Sequence, residues 1–182
     1  MQRKPESATI ELHLRAVSQL FSIENPFRES ELARQAKDYL IGRAKEAPKR
    51  DPIRIIIYLE PGELARQSAA DVAAKVTTGF RHLAEAEADD IRELFRNGRR
   101  ALLIGLVVLS ACLLLAAVVA TKLGEGPSST LVRESSVIFG WVAIWRPAEI
   151  FLYDWLPMTR RLAVLRRLSA AVVILQSEPG PT

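Results

Sequence analysis

The residues best able to do chemistry stand together late in the chain: Arg146, Glu149 and Asp154, inside the run from Trp145 to Pro157. An arginine beside two carboxylates can hold a phosphate, pass a proton or line an ion path, and ionisable residues in apolar segments are functional candidates. At about 100° per residue, an unbroken helix sets Glu149 and Asp154 roughly 140° apart, with Arg146 angularly between them. That excludes a proton-sharing pair of carboxylates and favours an Arg146–Glu149 ion pair three residues apart. Trp145, Tyr153 and Trp155, with Trp141 one turn earlier, fit an aromatic belt at a membrane surface. Pro147 has no N–H for Ala143, so the helix is expected to kink there, or to stop and restart with Glu149 in the new first turn. The candidate cluster is therefore Trp145, Arg146, Pro147, Glu149, Tyr153, Asp154 and Trp155. A charge group that neutralises itself reads first as structural.

Elsewhere the chain offers little chemistry. His13 and His82 have no second histidine, cysteine or carboxylate at metal-ligand spacing, and each reads as a surface or packing residue. Pro61-Gly62 follows a strand-like run, but neither GxGxxG nor GxxxxGK[ST] is present. Ser128-Ser129-Thr130 lacks a partner base and reads as a turn and helix cap. The carboxylates from Glu85 to Glu93 read as a solvated helix face. No catalytic residue, cofactor site or metal site is assigned.

The elements that must position the cluster are two apolar blocks. Ala101 to Ala120 carries no charge, and twenty residues at about 1.5 Å each match the roughly 30 Å hydrocarbon core of a bilayer. Around a turn at Gly124-Glu125-Gly126-Pro127, a second block from Leu131 or Val137 onward would return antiparallel. Paired positions would sum to about 251, bringing Arg146 level with Gly105, from where it can snorkel to the headgroups. Gly105, Ala111, Ala116, Gly140 and Ala143 offer small surfaces for close helix packing. Arg81, Arg92, Arg96, Arg99 and Arg100 precede the first span, and Arg160, Arg161, Arg166 and Arg167 follow the second, against Lys122 and Arg133 near the connection. Both termini are thus expected to be cytoplasmic.

At this point the chain resembles an uncharacterised family of small bacterial membrane proteins with two spans. The likeness rests on the Trp145–Pro157 motif, on Asn25-Pro26-Phe27-Arg28-Glu29 ahead of a helix, and on the layout of nearly the whole chain. It implies bacterial inner-membrane topology and no particular activity.

The flanking sequence reads as a small α/β domain. Ile10, Leu12 and Leu14 alternate with Glu11, His13 and Arg15, giving a half-buried strand over 8–15. Leu32, Ala36, Tyr39, Leu40, Ala44 and Ala47 recur at helical spacing, predicting a helix over 30–46, capped by Ser30 and closed by Pro48. The β-branched run 53–59 predicts a central strand buried on both faces, and the resulting βαβ unit predicts parallel pairing. A long helix from about Glu63, bent near Gly79 or hinged at Gly98, would lead into the first span. Leu162, Leu165 and Leu168 among paired arginines predict a basic amphipathic helix at the membrane surface. Residues 171–175 predict a strand that returns to complete the sheet. The expected organisation is a cytosolic part over 1–98, a transmembrane hairpin over 99–157, and a closing helix and strand over 158–182.

With 25 Lys and Arg against 21 Asp and Glu, the net charge is +4 and the pI about 9.5. The basic excess sits beside the apolar blocks, so anionic lipid headgroups account for it without nucleic acid. A mean hydropathy of +0.09 hides this segregation of charged and apolar stretches. The sole cysteine, Cys112, lies within the first span, and the first six residues have no apolar core of a secretory signal. The residues favour a non-enzymatic membrane-anchored adaptor or scaffold, acting through a homo-oligomer or a protein partner. The alternatives are a channel or transporter subunit using Arg146, Glu149 and Asp154, and an interfacial lipid-acting enzyme.

Overall fold

A computed structural model describes residues 8–21, 32–48, 51–66, 68–122 and 126–178. The expected cap at Ser30, the Asn25–Glu29 stretch and the Gly124-Glu125 turn lie outside the described residues. The chain divides into two compact units, one formed by residues 1–87 with 160–182, the other by residues 88–159.

The first unit is built on a three-stranded parallel sheet in the order β1-β2-β3, with β1 at Ala8–Leu14, β2 at Ile53–Leu59 and β3 at Val172–Ser177. Ile10 and Leu12 of β1 and Ile53, Ile55, Ile57 and Leu59 of β2 are all buried on one face. The other face is open: Glu11, His13 and Arg54 are exposed, and Ile56 and Tyr58 are only half-buried. The central strand is thus buried on one face and not both, because the helices that bury apolar residues in this unit cover a single side. Strands β1 and β2 pair parallel as expected, and the third strand, supplied from much later in the sequence, completes the sheet and is parallel too.

Helix α1 spans Arg34–Glu46 and buries Ala36, Leu40, Ile41 and Ala44. It begins later than its pattern predicts, with Ala33 in the N-cap position and no side-chain cap. Tyr39 falls off the buried stripe, and its hydroxyl donates to the Glu11 carbonyl of edge strand β1 at 3.3 Å. After a short helix α2 at Pro61–Leu64, Ser68 caps the long helix α3, Ala69–Lys122, accepting from Asp71 N–H at 3.3 Å. Within the first unit α3 buries Val72, Val76, Phe80 and Ala84, one residue per turn on a single stripe. The helix passes through Gly79 and Gly98 without interruption.

Helix α5, Trp155–Ser169, buries Leu162, Leu165 and Leu168 in the first unit. This corrects the expectation of a membrane-surface helix: its apolar stripe is used up by the protein core. Arg167 explains the packing further. Its guanidinium donates to the carbonyls of Ala44 at 3.3 Å, Pro48 at 2.7 Å and Asp51 at 3.0 Å, at the end of α1 where helix carbonyls lack partners. In the same last turn Arg43 lies 5.9 Å from the Tyr39 ring centroid and pairs with Glu46 at 3.2 Å; Tyr39 first, and then Glu46, raise its pKa. Arg161 pairs with the half-buried Glu87 at 3.2 Å.

The second unit contains the remainder of α3 and helix α4, Pro127–Glu149, followed by a π-helical turn at Ile150–Asp154. Glycines bring the two helices together. A methyl at Gly98 would lie 2.9 Å from Ile150, one at Gly105 2.9 Å from the Ala143 carbonyl oxygen, and one at Gly140 2.7 Å from Leu109 and 3.4 Å from Cys112. These pairs run in opposite directions along the sequence, so α3 and α4 pack antiparallel. Gly98 is a packing position, and no hinge interrupts the helix there.

Candidate functional site

The cluster sits where α4 gives way to the π turn. Pro147 is fully buried, and α4 continues through it to Glu149, so of the two expected outcomes, a kink or a stop and restart, the second does not occur. Irregularity comes three residues later. The Ile150 N–H reaches the carbonyls of both Arg146 and Pro147, and the wider turn follows. A proline removes the N–H that Ala143 would accept, and this freed carbonyl is the one facing Gly105. Position 105 has no side chain, and a methyl group there would lie 2.9 Å from that oxygen. The expected pairing of Gly105 with Arg146 is therefore shifted by about one turn: Gly105 serves the Ala143 backbone, and Arg146 points elsewhere.

The π turn changes what the charged residues can reach. In a regular α-helix Asp154 would lie roughly 80° around the axis from Arg146. A π turn takes in one extra residue, which rotates Asp154 back toward the Arg146 side. Arg146 Nη1 donates to Glu149 at 2.9 Å and lies 3.8 Å from Asp154, an ion pair too long for a hydrogen bond. Sequence reasoning anticipated the first contact and missed the second, because a π turn has no residue signature as clear as that of proline or glycine. Trp155 completes the repair. Its indole Nε1–H donates to the Phe151 carbonyl at 2.9 Å, the acceptor that its own backbone N–H would meet in an α-helix. The Trp155 ring is therefore drawn inward, whereas Trp141, Trp145 and Tyr153 remain exposed.

No protein-family model, curated protein or solved structure matches the chain.

The trio of Arg146, Glu149 and Asp154 carries one positive and two negative charges, with both carboxylates turned to one guanidinium. This arrangement can pin the π turn. Among the described residues no group of three metal-ligating side chains exists. The remaining polar candidates are separate. Ser129 closes the start of α4 by accepting from Gly126 N–H at 3.0 Å and donating to Gly126 O at 2.8 Å, the cap expected there. His13 is not alone: its ring stacks on Tyr58 at 4.6 Å and its Nδ1 lies 3.3 Å from Glu178. An open pocket of about 540 Å³ beside β1, lined by Glu11, His13, Gln19, Gln35 and Tyr39, brings no nucleophile to that histidine.

Proposed function

We propose that the protein is a membrane-anchored, non-enzymatic adaptor or scaffold of the bacterial inner membrane. In this reading α3 and α4 cross the bilayer as a hairpin, both termini are cytoplasmic, and the sheet-bearing unit is a cytosolic interaction domain. The carrying observation is the apolar stretch of α3, of which only 17% is buried in its most apolar window. Leu103, Val107, Leu114, Ile138, Phe139 and Val142 are each more than 60% exposed across the two helices. Patches of this extent require a nonaqueous cover. Two hydroxyls within these helices bond to their own backbone: Ser110 donates to Leu106 O at 2.8 Å and Ser136 to Val132 O at 2.7 Å. Such internal bonding suits a medium without water.

The difficulty for a second span is charge. Between Glu134 and Arg146 only residues 135–145 are uncharged, roughly 16 Å of helix and about half of a bilayer core. The paired trio supports a longer span, because an arginine neutralised by its own helix can enter the headgroup region at reduced cost. Anionic headgroups would meet the basic residues that precede α3's apolar stretch. The test is topology mapping with cysteine-reactive reagents in intact and opened cells, on a Cys112→Ser background. Cysteines placed near residue 15 and near residue 176 are expected to label only after opening. Release of the protein from membranes by alkaline carbonate would sink the proposal.

A channel or transporter subunit is the second reading, favoured by the approach of Asp154 to Arg146. It requires ion flux in liposomes that changes when Arg146 becomes Ala; silent liposomes would remove it.

A further inference from the structure

The open face of the sheet carries an inference that rests on the membrane reading. Parallel sheets are rarely left bare, because each face ordinarily buries apolar side chains. Here Ile56 and Tyr58 of β2 and Ile174 of β3 are only half-buried, and Val172 is 58% exposed. Two full charges flank this strip. Glu11 lies beside Ile56 on β1, and Arg54 lies two residues before Ile56 on β2. Neither side chain forms an ion pair among the described residues, so each offers an unused charge of opposite sign.

We infer that this face is the contact through which two copies of the chain pair, sheet on sheet, about a two-fold axis through Ile56. The geometry follows from spacing. Neighbouring strands are about 4.8 Å apart and alternate residues about 6.6 Å, so Glu11 and Arg54 lie at similar distances from Ile56 in perpendicular directions. An axis bisecting those directions lies about 45° from the strands and makes the strands of the two sheets cross near 90°, one of the two favoured sheet packings. It sets Glu11 opposite the partner's Arg54 and, by symmetry, Arg54 opposite the partner's Glu11. The same operation lays Ile174 on the partner's Tyr58. A face of one sign, or an alignment with β2 stacked on itself in parallel, would oppose like charges instead.

The patch is small. Three strands of about seven residues cover roughly 14 by 23 Å, well below the ~800 Å² per partner of a free-standing dimer. Pairing therefore depends on the two chains sharing one membrane, which raises their effective concentration.

The test uses full-length protein, carrying donor or acceptor dyes, in phosphatidylethanolamine–phosphatidylglycerol liposomes. Energy transfer is measured against protein density, and co-flotation with the liposomes reports membrane insertion separately. Wild type should exceed the random-proximity level. Glu11→Arg and Arg54→Glu should each raise the density needed for half-maximal transfer at least tenfold, and the doubly reversed variant should recover to within about threefold of wild type. Unfolding midpoints of all variants should match, since both side chains are exposed. Protein that co-floats yet shows only random transfer overturns the inference and leaves the membrane reading intact. So does transfer unchanged by both single reversals and by Ile56→Arg, or single losses that the double reversal fails to restore. Failure to co-float overturns the membrane reading itself.

Discussion

Arg167 binds three main-chain carbonyls on a segment more than a hundred residues earlier, whereas Arg166 next to it is exposed. Arg167→Ala should cost about 2–3 kcal/mol of stability in the first unit, since charge-assisted bonds are lost and the end of α1 reverts to solvent. Arg167→Lys should recover only part, because an ammonium cannot span the same acceptors. Hydrogen–deuterium exchange of the buried β2 amides at increasing urea reads both, since the three tryptophans all lie in the second unit. In the sequence this arginine counted only toward topology, as hydrogen bonds across such separations leave no local pattern. Gly98 read as a hinge, whereas Gly105 and Gly140 were more legible, since small residues at helical spacing announce close packing. Their costs should nevertheless differ. Gly105→Ala meets a rigid carbonyl and should lose about 1–3 kcal/mol, while Gly140→Ala meets the movable tip of Leu109 and should lose less. Thermal unfolding in detergent would rank them, and equal losses would contradict the backbone contact. For the charged trio, Arg146→Gln should destabilise slightly more than Arg146→Gln combined with Glu149→Gln, by no more than about 0.5 kcal/mol in the same thermal unfolding, because both partners are largely exposed.

At the level of elements, alternation along β1 and the β-branched run of β2 predicted both strands closely. What they could not convey was which faces would be covered, since β2 reads as apolar on both sides and meets helices on only one. The helices divide in the same way. The stripe of Leu162, Leu165 and Leu168 reads equally well as membrane-facing or core-facing; long-range packing decided for the core. Leu168, fully buried, should cost about 2–5 kcal/mol when replaced by Ala, measurable by urea unfolding. A membrane-surface helix would instead tolerate that change and lose liposome binding. The π turn is the element least visible in sequence. Proline marked the right neighbourhood, but the irregularity falls after it, where the Trp155 indole substitutes for a backbone donor.

For the whole molecule, apolar surface is distributed unevenly: one unit buries its aliphatic residues, and the other presents them outward. If the outward set faces lipid, extraction by increasing detergent should occur only near micelle formation, and wild type should pellet with membranes after a high-salt wash that strips peripheral proteins. Recovery in the salt supernatant would contradict this. The sheet has a further consequence for biosynthesis. β1 and β2 leave the ribosome more than a hundred residues before β3, and the entire second unit is made in between. At translation rates of about 5–20 residues per second, the edge of β2 stays unpaired for several seconds. The sheet therefore cannot be completed until the whole second unit has been made. A stop codon anywhere before Val172 yields a product whose first unit lacks its closing strand, and quality-control proteases should recognise it as unfinished.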